Sequence, residues 1–146
     1  MGFSVSGSAA IIFAGMFIAF GMFYSATSNS MEQVTDAQGD WQDHSLAQQN
    51  TAVNVTGASY NASTNSLVVT VANTGATSLS VNGTDLLVDN TYETSFVDRS
   101  VDGDTSTDLW LPGEQLRYNV SFASQPSRVK VVTGPGVAAT EVVTNG

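Results

Sequence analysis

The first 31 residues contain no charged side chain; Glu32 is the first. Within them, residues 5–26 read VSGSAAIIFAGMFIAFGMFYSA, interrupted only by Ser6, Ser8 and Ser25. As a helix this run spans roughly 33 Å, enough for a bilayer hydrocarbon core of roughly 30 Å. A single membrane crossing is therefore expected, with Val5, Ile11, Ile12, Phe13, Met16, Phe17, Ile18, Phe20, Phe23 and Tyr24 as its apolar anchor residues. Phe20, Phe23 and Tyr24 gather at one end, as an interfacial aromatic belt does. A cleaved secretory signal is the rival reading. No Lys or Arg precedes the run and the run is long for a signal's apolar core, so an uncleaved anchor is expected. Gly7, Ala10, Ala14 and Gly21 fall on one helix face. They fit close approach by a second helix or simply the small-residue content of membrane helices.

Beyond the span the chain is acidic. Thirteen Asp and Glu stand against four bases, Arg99, Arg117, Arg128 and Lys130, for a formal net charge of −9. A basic footprint for nucleic acid is absent. The acid excess fits either solubility through self-repulsion or adaptation to high salt. With no cysteine, neither disulfides nor thiolate metal sites are available. Orientation is weakly encoded, because no basic residue flanks the span and acids contribute little to the rule. Four N-x-[ST] sequons, at Asn54, Asn61, Asn82 and Asn119, all follow the span and tilt the bulk of the chain towards the outside. They are also the candidate glycosylation sites.

Residues 27–50 are polar. Met31, Val34, Gln38 and Trp41 recur at spacings of three, four and three, one stripe of an amphipathic helix. The stripe can pack on the following domain or pair with the stalk of another copy. Gly39 costs about 1 kcal/mol relative to Ala in a helix and marks a candidate bend or end. His44, the single histidine, reads as a solvated linker residue.

After residue 50 the period changes from helical spacing to alternation, with turn signals every eight to twelve residues or so. Candidate strands are residues 51–60, 67–72, 77–81, 86–88, 92–97, 109–110, 116–122, 128–133 and 138–143. Leu116, Tyr118, Val120 and Phe122 alternate with Arg117, Asn119 and Ser121, one buried face and one wet face. Leu67, Val69 and Val71 form a second candidate inner face. NASTNS at residues 61–66 joins the first two strands. Asn73-Thr74-Gly75 reads as a turn that tolerates left-handed backbone, Pro112-Gly113 as a type II turn, and Asn82-Gly83 as a type I′ hairpin. The fold expected is mainly β: an immunoglobulin-like sandwich behind one transmembrane helix and an amphipathic stalk. The corresponding division is anchor 1–26, stalk 27–50 and extracytoplasmic domain 51–146.

Catalytic constellations are missing: no G-x-S-x-G, no phosphate loop, no H-E-x-x-H, and a histidine confined to the linker. No enzyme and no cofactor is expected. The densest acidic stretch, 98–108, offers Asp102, Asp104 and Asp108 as oxygen donors for a hard cation. It lacks the EF-hand spacing and its terminal Glu, so a solvated loop is expected there and no metal.

The uncharged start MGFSVSGSAAIIF and the order anchor, polar linker, β-domain resemble the FlaF family of archaellum proteins, in its haloarchaeal form. VANTG at 71–75, LPGE at 111–114 and RVKVVTGPGV at 128–137 resemble turns found in many archaeal surface β-domains. The resemblance implies a motility-motor stator subunit, single-pass in the cytoplasmic membrane. Its sandwich would lie in the pseudoperiplasm, bind the S-layer and partner a FlaG-type subunit. A homodimer stays open, and an apolar patch beside Trp110 or an exposed strand edge would supply the grip. The alternative is an archaellin or pilin-like filament subunit, whose apolar helix ordinarily follows a basic residue and glycine. Here neither Gly2 nor Gly7 has a base before it.

Overall fold

The computed structural model describes residues 2–146, with side chains from Val5 onward. Met1, the first residue of the uncharged start, lies outside them. One helix, α1 (Gly2–Asn50), precedes eleven short strands. The chain divides into two compact units, one reaching to Asp43 and the other comprising His44–Gly146.

In the first unit every residue from Val5 to Asp43 is exposed. The helix does not end at Gly39. Its polar half tolerates Ser and Thr because their hydroxyls turn back onto the helix: Ser30 Oγ donates to Ala26 O at 2.8 Å and Thr35 Oγ1 to Met31 O at 2.9 Å.

In the second unit the strands are β1 (Val53–Asn61), β2 (Ser66–Asn73), β3 (Leu79–Ser80), β4 (Asp85–Val88), β5 (Thr91–Glu93), β6 (Asp98–Val101), β7 (Leu109–Trp110), β8 (Gln115–Ser121), β9 (Arg128–Val132), β10 (Ala138–Val142) and β11 (Thr144–Asn145). They form a five-stranded sheet in the order β11-β1-β2-β8-β6, a four-stranded sheet β10-β9-β4-β5, and the pair β3-β7. Leu67, Val69, Val71, Leu116, Tyr118 and Val120 of the first sheet share one core with Leu86, Val88, Val129 and Val131 of the second. This is the expected immunoglobulin-like sandwich behind a long apolar helix.

Strand β1 carries a device that simple alternation does not show. Its inward residues are Val55, then Ala58 and Tyr60, so the parity flips. The β1–β2 register shifts between Val55 and Gly57, leaving Thr56 as the extra residue of a bulge.

Several turns differ from expectation. Gly113 has φ 90° and Glu114 N donates to Leu111 O at 3.2 Å, the predicted type II turn. Asn82-Gly83 is not a type I′ hairpin: neither residue has positive φ, and β3 pairs with β7 rather than β4. The left-handed pair that does join neighbouring strands is Asp89-Asn90, at φ 48° and 67° between β4 and β5. Asn73, Thr74 and Gly75 do not adopt left-handed backbone either. Gly75 is required for closeness instead, since an added Cβ would lie 2.4 Å from Ala52 N and 2.6 Å from Asn50 O.

The expected strand 92–97 stops at Glu93. Glu93 Oε1 accepts from Thr94 N at 3.1 Å and Ser95 N at 2.8 Å, which turns the chain out of β5. The chain re-enters as β6 in the other sheet, beside β8. The first four residues of the supposed acidic loop, 98–101, are therefore sheet, with Ser100 and Val101 buried. The C-terminal segment likewise changes sheets around buried Val143. Residues before it pair with β9, and β11 runs parallel to β1.

Candidate anchor and docking surfaces

The predicted anchor residues Val5, Ile11, Ile12, Phe13, Met16, Phe17, Ile18, Phe20, Phe23 and Tyr24 all lie on α1, and each is more than half exposed. This is the one helix among the described residues long and apolar enough to cross a membrane. Nothing in its own unit covers these side chains, so a stable environment for them has to come from lipid or from other chains.

The last residues of α1, from His44, belong to the second unit. Thr51 Oγ1 donates to Ala47 O at 2.7 Å, and Ala76 N donates to Asn50 O at 2.8 Å. These bonds satisfy carbonyls that a helix terminus leaves open. Asn73, buried at the same place, donates through Nδ2 to Thr77 O at 2.9 Å and Trp110 O at 3.2 Å, while its Oδ1 accepts from Gly75 N at 3.2 Å. Its role is a buried polar knot rather than a turn conformation. The VANTG sequence marked the place without revealing that role.

Trp110 is itself core, 0% exposed, with Nε1 donating to Glu114 O at 2.9 Å. Its neighbours Leu109 and Leu111 are exposed, and they form the apolar surface beside it. Tyr92 and Val97 are exposed at the crossing between β5 and β6, the outermost strands of the two sheets. There the Arg99 guanidinium lies 5.6 Å above the Phe96 ring, which packs on Tyr118 at a centroid distance of 5.2 Å. Arg99 also donates to Val81 O and Asn82 Oδ1, tying the crossing to the turn after β3. Burial pushes the Tyr118 hydroxyl's pKa well up, so it stays a neutral donor to Thr84 O.

The three carboxylates of the acidic stretch are engaged separately. Asp102 Oδ1 accepts from Gln115 N at 3.1 Å. Asp104 Oδ1 accepts from the Ser106 hydroxyl at 2.7 Å and the Ser106 amide at 2.8 Å, which lower its pKa in that order. Asp108 is lowered by the Asn82 amide at 2.7 Å, then by the Ser80 hydroxyl at 2.9 Å. Among the described residues no three His, Cys, Asp or Glu side chains gather as a metal site. These aspartates act as turn caps. The signal in sequence was Asp102-Gly103, whose φ values of 48° and 92° carry the chain back on itself.

Of the sequon asparagines, Asn54, Asn61 and Asn82 are exposed and Asn119 is half-buried. Asn61 Oδ1 caps its own turn, accepting from Ser63 N at 2.9 Å. Asn119 sits on β8 between β2 and β6, its Oδ1 accepting from Ser66 Oγ at 2.6 Å. His44 is exposed near the end of α1.

No curated protein sequence matches the chain. Among solved structures it is similar to the archaellum periplasmic stator protein FlaG from Sulfolobus acidocaldarius, at 16% identity and TM-score 0.40, covering 62% of this chain and 97% of that one. It is also similar to a chain of the archaellum periplasmic stator complex FlaF and FlaG from the same organism, at 17% identity and TM-score 0.42, covering 61% and 85%. Domain I10 of titin follows at 15% identity and TM-score 0.29, covering 64% and 99%. The family model for archaeal-type flagellin, by contrast, matches residues 2–143, nearly the full length. The chain belongs to the archaeal-type flagellin family.

Proposed function

We propose that this chain is an archaellum accessory subunit of the stator type: a membrane-tethered binding protein that gives the rotating filament something fixed to push against. In this reading residues 1–26 anchor, residues 27–50 form the stalk, and residues 51–146 carry the binding surface outside the cytoplasmic membrane. The observation that carries it is the division of burial. The sandwich closes its own core, whereas the anchor residues are covered by nothing in their unit. A stator needs that pairing of a self-contained head with a tether. The head works by binding rather than by catalysis. Its grip is the exposed apolar surface at Leu109 and Leu111 and the strand edges at the β5–β6 crossing. Aromatic and apolar side chains make effective interface cores there. The partners are the S-layer protein and a FlaG-type subunit.

The test is a pull-down from native envelope with the soluble unit His44–Gly146 as bait. S-layer protein is expected to be retained at high salt, where charge repulsion between acidic surfaces is screened over a few ångströms. Retention should fall as salt is lowered. Recovery of no S-layer protein at high salt would refute the binding claim. Loss of the gene should leave filaments assembled but swimming impaired.

The second reading, a filament subunit, is favoured by the family match over residues 2–143. In that case the anchor residues would be covered by neighbouring helices of a polymer instead of lipid.

A further inference from the structure

The polar half of α1 separates charge from apolar surface more sharply than a solvated stalk requires. Met31, Val34, Gln38 and Trp41 occupy the two inward positions of a heptad, spaced three, four and three, and all four are exposed. In the same register Glu32, Asp36, Asp40 and Asp43 fall only on the three outermost positions. The positions flanking the stripe are Ser30, Thr35, Ala37, Gln42 and His44, none of them acidic. In a chain with net charge −9, that arrangement removes the like-charge contacts that would oppose association with an identical helix. Stepping back by four and three, the same register reaches Tyr24, Phe20, Phe17 and Phe13, with Thr27 as the one polar interruption between the two runs. A repeat sustained at 3.5 residues favours a left-handed supercoil.

We infer that α1 pairs with α1 of a second copy of this chain, parallel and in register, through the seam of Met31, Val34, Gln38 and Trp41. Parallel alignment follows from anchoring both copies in one membrane with the same orientation. Gln38 sets the register, because its carboxamide has a partner inside an apolar seam only when it faces its own counterpart. The inference is independent of what the sandwich grips. The pull-down above uses a unit that begins after the seam, so the two readings can fail separately.

The chain has no cysteine, so single cysteines report pairing directly. The full chain carrying Val34→Cys or Trp41→Cys is expected to cross-link under mild oxidation in native membranes, giving a product of twice the chain's mass. Asp36→Cys and Asp43→Cys should cross-link at least about ten-fold less, because outer positions cannot bring two Cα atoms within about 7 Å. Adding Val34→Asp to the Trp41→Cys chain should cut its product by about ten-fold or more, since paired carboxylates would meet in the seam. This helix buries nothing in its own unit, so these changes leave the sandwich folded. Equal cross-linking at inner and outer positions overturns the inference. So does no product at the inner positions, persistence of the product with Val34→Asp, or a product whose mass shows a different partner chain.

Discussion

The two tryptophans show how differently the two units are built. Trp110 is 0% exposed, and its indole N–H is held by Glu114 O at 2.9 Å. Trp41 is 73% exposed on α1. One large aromatic is determined by its own domain, the other by something outside the chain. The same contrast separates the phenylalanines. Phe96 packs against Tyr118, whereas Phe13, Phe17 and Phe20 lie open on the helix. Burial is thus a property of the sandwich alone, and the helix is a surface awaiting lipid or protein. A chain divided in this way is suited to connecting two structures.

Removing residues 1–26 should break the contrast most completely. The remaining chain is expected to leave the membrane fraction altogether while keeping a β-type circular dichroism spectrum. A truncated chain that stays in the membrane would show that the anchor lies elsewhere. Next in size, Trp110→Ala should destabilise the sandwich by about 3–5 kcal/mol in urea unfolding. Trp41→Ala should leave the same transition within about 0.5 kcal/mol of the parent. Gly75→Ala is expected to cost about 1–3 kcal/mol, because a methyl group has no space between Ala52 N and Asn50 O. An unchanged urea midpoint would mean that the approach of the helix end to this loop is not required.

The smallest effect is on acid stability. Asp104 and Asp108 have pKa values lowered in the folded state by the hydrogen bonds they accept. The unfolded chain therefore takes up these protons first as pH falls. Their contribution is present above the unfolded value, about 3.9, and is lost as pH drops through the lowered folded values. The urea midpoint should be flat from pH 8 to 5 as far as these groups are concerned, and fall below about pH 4. Asp108→Asn should flatten part of that fall; an unaltered acid limb would show that its caps contribute nothing to stability.

Much of the fold was legible because apolar residues alternate cleanly where strands are flat. Leu67, Val69 and Val71, and Leu116, Tyr118 and Val120, are all core as the pattern indicates. Legibility failed where one residue changes the geometry. Thr56 is an extra residue that flips the parity of β1, and no composition rule distinguishes it from a neighbour. Glu93 ends β5 by capping two amides, so the apparent strand stops there and residues 94–97 carry the chain across to the other sheet. Acidic composition concealed β6, although Ser100 and Val101 are buried within it. Gly75 read as a residue for unusual backbone, but the need is for close approach, a tertiary fact. At the candidate surfaces, a helix long and apolar enough to cross a membrane was readable from charge and length alone. Asn73 was not, because its three hydrogen-bond partners are fixed by how loops and strands meet.

In the proposed function the apolar helix is covered by a membrane while the sandwich works as a tethered binding domain. Shearing filaments from cells, purifying them apart from the membranes, and quantifying this chain in each fraction by mass spectrometry separates that arrangement from a polymer. The chain is expected in the membrane fraction, released by detergent but not by salt or alkali, and absent from filaments as a repeating subunit. Finding it as the main mass of the purified filaments would overturn that arrangement and establish the polymer reading in its place.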